Sequence, residues 1–116
     1  MKFGKFKPWN EWKDQIDGTE HYQFHFENGY GASVIRGPYS YGGPDKLFEL
    51  AVLKRNRLYP RYWDVTYDTP ITSDVLGSLE HDDVVKALED ISRLADDYDL
   101  LHKSFVDHDG NVVFVD

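Results

Sequence analysis

Tyr22-Gln23-Phe24-His25-Phe26-Glu27 alternates aromatic and polar residues, breaks at Asn28-Gly29, and is followed by the small and β-branched run Ala32-Ser33-Val34-Ile35. A side-chain period of two puts Tyr22, Phe24 and Phe26 on one face of a strand. Asn-Gly between two such runs is the strongest short-range hairpin signal, because both turn residues tolerate positive φ. The chain is thereby committed to an antiparallel sheet with one strongly apolar face, and another element has to cover that face. Gly31 is expected to mark a bulge.

The rest of the sheet follows in chain order. Gly37-Pro38-Tyr39-Ser40-Tyr41-Gly42-Gly43-Pro44-Asp45 holds two prolines and three glycines in nine residues, so it is a loop. Leu47 to Lys54 is apolar apart from Glu49 and reads as a central strand covered on both faces. Tyr62 to Tyr67 reads as the next strand after a turn at 55–60, which makes a four-stranded meander. Asp68 to Leu79 reads as an irregular connector in which Pro70 holds Thr69 extended and Asp74 or Ser78 caps a nearby turn.

The covering element is legible as well. Val84, Leu88, Ile91 and Ala95, widened by Ala87 and Leu94, form one apolar stripe at helical spacing. Asp82 and Asp83 fall in its first turn, and Asp82/Lys86 and Glu89/Arg93 are i, i+4 pairs in the favourable order. Near the N-terminus, Trp9, Trp12 and Ile16, with Pro8 before them and Gly18 after, predict a short helix. At the other end, Ser104-Phe105-Val106 and Asn111 to Val115 flank Asp107-His108-Asp109-Gly110 and predict a small hairpin. The expected fold class is α+β in one domain over residues 1–116. It comprises an N-terminal extension over 1–20 with the short helix, a core over 22–95 and a C-terminal β-hairpin over 104–116.

Charge is distributed unevenly. The chain carries −8 overall, yet residues 1–63 hold ten Lys and Arg against seven Asp and Glu, and residues 64–116 hold three against fourteen. An acidic half repels nucleic acid and membrane headgroups at long range and attracts basic partners. It also serves solubility. No run of 18 apolar residues and no apolar segment behind the first lysines is present, so a membrane span and a secretory leader are not expected, and the expected location is cytoplasmic. With no cysteine there are no disulfides and no thiolate chemistry.

Motifs for catalysis, metals and cofactors are missing at this level. His21 and His25 have the i, i+4 spacing that chelates zinc on a helix, but on a strand four residues span roughly 13 Å and one ion cannot reach both. His81, His102 and His108 stand apart in sequence, and the acidic turn at 107–111 lacks the glycine and terminal glutamate positions of a calcium loop. There is no nucleophile elbow, Walker loop or dinucleotide fingerprint. Two patches stand out. Arg36 with Tyr39 and Tyr41 in the glycine loop can stack on a base or close over a small ligand, or else cover the sheet edge. Lys54-Arg55-Asn56-Arg57-Leu58-Tyr59-Pro60-Arg61-Tyr62 is a basic turn interleaved with tyrosines, of the kind that meets phosphate, or else a solvated turn balancing the acidic half.

Asn28-Gly29-Tyr30-Gly31-Ala32-Ser33-Val34, Glu49-Leu50-Ala51-Val52-Leu53 and Tyr67-Asp68-Thr69-Pro70-Ile71-Thr72-Ser73-Asp74-Val75-Leu76-Gly77 together resemble the pattern of a family of small bacteriophage proteins with no established activity. The resemblance spans about residues 22–95. It implies a non-catalytic phage accessory protein acting in the host bacterial cytoplasm on a host macromolecule, with self-association left open. The acidic half then suggests an inhibitor of a nucleic-acid-binding defence effector, using Asp90, Asp96, Asp97 and Asp99, which lack an evident i, i+4 cation, to occupy a basic groove. On this reading the protein uses no metal and no cofactor and does not touch nucleic acid directly. The alternatives are a protein that sequesters a nucleotide or other small molecule through Arg36, Tyr39 and Tyr41, and an enzyme of unrecognised type.

Overall fold

The computed structural model describes residues 1–95, 105–106 and 112–114. The expected turn at 107–110 and the candidate acids Asp96, Asp97 and Asp99 lie outside the described residues. Six antiparallel strands form one sheet: β1 (Asn10–Lys13), β2 (Glu20–His25), β3 (Tyr30–Arg36), β4 (Phe48–Arg55), β5 (Trp63–Val65) and β6 (Leu76–Leu79). The order is β1-β2-β3-β4-β5, and β6 pairs with β4 on the same edge as β5. β5 takes Leu53–Arg55 and β6 takes Phe48 and Leu50, so two short strands share the edge of one long one. Helix α1 (His81–Ser92) crosses one face. A separate antiparallel pair joins β7 (Phe105–Val106) to β8 (Val112–Phe114).

The alternation seen in sequence is the alternation of the sheet. Tyr22 lies opposite Val34 and Phe24 opposite Ala32, while Val34 and Ala32 lie opposite Leu50 and Val52. All six are buried on the face that receives Val84, Ala87, Leu88 and Ile91 of α1. The helix begins with a capping box, the Glu80 carboxylate accepting from the Asp83 backbone while Asp83 Oδ2 accepts from Glu80 N at 2.9 Å. Neither Asp74 nor Ser78 caps it. Ser78 instead adopts φ 53 in β6, a segment the sequence presented as irregular.

Several expectations change. The helix predicted around Trp9–Ile16 is a strand, β1, followed by a turn that Asp14 holds by accepting Ile16 N at 2.7 Å and Asp17 N at 3.3 Å. One or two turns of isolated helix are marginal in water. Here ladder bonds to β2 and cross-strand stacking outweigh them, and Ile16, the third member of the supposed stripe, is 96% exposed. β4 is covered along its length only on the helix side, and on the other face burial is complete only at Leu53. Ala95 lies beyond α1 and is exposed.

The N-terminus joins the core. Phe3 is fully buried, with its ring edge-to-face on Tyr22, Phe24 and Phe48 at centroid distances of 5.3, 5.8 and 5.3 Å. His81 stacks on its remaining side at 5.0 Å. Arg36 and Glu20 close the other end of this face, joined by two hydrogen bonds of 3.0 Å, with the guanidinium 4.3 Å from the Phe48 centroid. Among the described residues no helix is long and apolar enough to cross a membrane.

Candidate ligand-binding site

The face of the sheet turned away from α1 is also aromatic. His21, Gln23 and His25 are the polar positions of β2, and their alternation points them to this side. Trp12 stacks on His21 at 4.6 Å with 3° between planes. Trp9 stacks on His25 at 4.3 Å, and Trp63 stacks on the same imidazole at 3.9 Å and 4°. An imidazole from β2 thus sits in a column between a tryptophan beside one sheet edge and a tryptophan from β5. Gly31, opposite both His25 and Leu53, leaves no side chain between them and lets the rings close over Leu53. Burial holds the pKa of His25 below its ordinary value, favouring the neutral ring. Gln23 Nε2 lies 3.0 Å from His25 Nε2, which suits an imidazole protonated on Nδ1.

The Arg55 guanidinium lies beside the column, 5.9 Å from the Trp63 centroid. Here the β4–β5 turn makes a groove of about 440 Å³ lined by Lys54, Arg55, Asn56, Arg57, Asp64, Val65 and Thr66. Asn56 builds the turn: its Oδ1 accepts from Leu58 N and Tyr59 N at 2.9 Å each, its backbone N donates to Tyr62 O at 2.8 Å, and its Nδ2 donates to Asp64 Oδ2 at 3.4 Å. This Asx-type closure turns Tyr59 and Tyr62 outward, 62% and 57% exposed, with their rings edge-to-face at 6.3 Å. Residues 54–63 contain four cations and no acid, and among the described residues Asp64 is the carboxylate that lines the groove.

The residues singled out from sequence fare differently. Arg36 is engaged with Glu20, which holds that carboxyl below its ordinary range and raises the guanidinium further. The Tyr22 hydroxyl donates to the same carboxylate at 2.6 Å, and burial together with this bond raises its pKa. Arg36 is thereby held at the rim of the core. Tyr39 and Tyr41 are 88% and 64% exposed. Tyr41 anchors the loop, its N donating to Glu49 Oε1 at 2.7 Å and its carbonyl accepting from Ser78 N at 3.0 Å, while its ring lies where a side chain on Gly77 would project. Asp90 does have an i, i+4 cation. Lys86 Nζ reaches it at 2.9 Å, so Lys86 serves Asp90 and not Asp82. Among the described residues no group of three His, Asp or Glu is placed to hold a metal.

Sequence reading noted the basic turn but missed the Trp9–His25–Trp63 column. The signal was present in the alternation that sends His21 and His25 to one face. What brings Trp63 to His25 is the register of β3 and β4 between their strands, with Gly31 opposite both His25 and Leu53, which no local pattern encodes. No family model, curated protein or solved structure matches this chain.

Proposed function

We propose that this protein is a non-catalytic binding module that takes a phosphate-bearing ligand in the basic groove of the β4–β5 turn. One observation carries the reading: Lys54, Arg55 and Arg57 line one groove, with Arg61 in the same turn. Neutralising phosphate with clustered Lys and Arg is a local electrostatic effect that a net negative charge elsewhere weakens without abolishing. The acids of α1 lie on the covered side of the sheet, across from the tryptophan column.

This choice departs from the expectation of an acidic surface occupying a partner's basic groove. Asp90 is paired, and the other three acids lie outside the described residues. Calorimetric titration with inorganic tripolyphosphate tests the reading. Binding is expected at low salt, falling steeply as salt rises, and Arg55→Glu with Arg57→Glu is expected to abolish it. No heat with tripolyphosphate, together with binding to a polylysine probe, would sink this proposal in favour of the acidic one.

A further inference from the structure

We infer that the ligand of this groove is single-stranded nucleic acid, its phosphates held by the basic turn and its bases stacked on the exposed rings beside it. The inference rests on the groove reading above and adds the identity of the ligand.

Cations alone would suit any polyanion. What distinguishes this surface is the density of ring faces next to the charges. Between Lys54 and Trp63 the turn carries Lys54, Arg55, Arg57 and Arg61 together with Tyr59, Tyr62 and Trp63. Tyr59 and Tyr62 project outward with more than half their surface open, although exposing two neighbouring tyrosines gains a folded monomer nothing. Behind them the column runs from Arg55 past Trp63 and His25 to Trp9, which is 64% exposed and so presents a free ring surface at the far end. Rings and guanidinium groups therefore follow one another from the groove onto the open sheet face.

Base–aromatic stacking tolerates any sequence, because every base has a π-face, and it requires bases that are not already stacked in a duplex. A duplex would bring only its backbone to the turn and leave Tyr59, Tyr62 and Trp9 without partners. The surface is thus matched to unpaired nucleotides. Stacking on His25 fixes the Trp9 ring, which lowers the ordering cost of a base that stacks on its exposed side. The overall charge of −8 predicts long-range repulsion of a polyanion, so affinity should depend on stacking as much as on the local cations.

The test uses the full chain with three probes: a fluorescently labelled thymidine oligonucleotide, the same oligonucleotide in duplex, and inorganic tripolyphosphate. Anisotropy should show the single strand binding more tightly than the duplex. Tyr59→Ala and Tyr62→Ala should each weaken the single strand by roughly tenfold, while leaving tripolyphosphate binding unchanged. Arg55→Gln with Arg57→Gln should weaken both. Because both tyrosines are exposed, circular dichroism should show the variants folded, and Tyr59→Phe should restore oligonucleotide binding. Equal affinity for duplex and single strand, or indifference to both tyrosine substitutions while tripolyphosphate still binds, would overturn the nucleic-acid assignment and leave the anion groove standing. Failure of all three probes would overturn both.

Discussion

The side-chain amide of Asn28, in the turn between β2 and β3, donates to the carbonyl of Ile91 at 2.9 Å, and the same nitrogen reaches Leu94 O at 3.0 Å. The turn between β2 and β3 is therefore also the cap of the helix that covers it. The Asn28 Oδ1 accepts from Tyr30 N at 3.0 Å, so all of the side chain is committed. Only Gly29 takes positive φ, at 87°, because the turn closes through Phe26 N to Tyr30 O as a three-residue loop and not a two-residue one.

Asn28→Asp should destabilise the protein by about 2 kcal/mol, since it removes both donors and puts a carboxylate at the negative end of the helix dipole. Urea denaturation followed by far-ultraviolet circular dichroism measures it. A loss under about 0.5 kcal/mol would mean the cap is not formed in solution.

Phe3→Ala should cost about 3–5 kcal/mol, the range for deleting a fully buried phenylalanine. Chemical denaturation of this variant beside Phe6→Ala, whose ring is only half-buried and touches Phe26, separates a core residue from a peripheral one. Equal small losses would place the N-terminal segment off the core.

The pair Ile16→Ala and Trp12→Ala distinguishes strand from helix at the N-terminus. Ile16, open to solvent in the turn, should be neutral within about 0.5 kcal/mol. Trp12 stacks on His21 and should cost about 1 kcal/mol. An amphipathic helix packed through Trp9, Trp12 and Ile16 would make both substitutions costly.

Burial between two indoles lowers the pKa of His25, so the unfolded chain takes up the proton first as pH falls through the ordinary imidazole value of 6.5. Stability contributed by the neutral ring is present above that value and is lost on further acidification towards the folded value. The melting temperature should drop over this window in the wild type and less in His25→Gln. A wild-type melting temperature that rises instead would mean that attraction between imidazolium and indole outweighs desolvation.

Glu20 titrates with the opposite range and the same direction. Its hydrogen bonds from Arg36 hold the carboxyl below the ordinary 4.5, so its stabilisation is complete above that pH and fades as pH falls through the lowered value. Glu20→Gln should flatten the stability profile below about pH 4.5 while lowering stability at neutral pH. An unchanged acid limb would remove the pair from the rim of the core.

Much of the sheet could be read in advance because its information is local. The alternation of Tyr22, Phe24 and Phe26, the loop at 37–45 and the stripe of Val84, Leu88 and Ile91 each follow from the geometry of one element. The candidate site was half legible: the cations and tyrosines of 54–62 are adjacent in sequence, whereas the column behind them draws one ring each from the segment before β1, from β2 and from β5.

Local composition also misled. Trp9, Trp12 and Ile16 fit a helical spacing by coincidence, and the competition was settled by a partner strand that begins seven residues after β1 ends. Arg36 looked available for a ligand because Glu20, sixteen residues away, is brought to it only by strand register. Asp90 looked unpaired only because Lys86 had been assigned to Asp82, and an i, i+4 pattern with two acids cannot choose between them.

By itself, the sequence determined which residues face inward, since side-chain period is a property of single elements, and that a basic, ring-rich turn follows the central strand. Tertiary structure alone decided that Phe3 enters the core, that Asn28 caps α1 and that Trp9, His25 and Trp63 form one column. Each of these joins residues far apart in the chain through strand pairing or helix packing, which arise when the whole sheet closes against its helix.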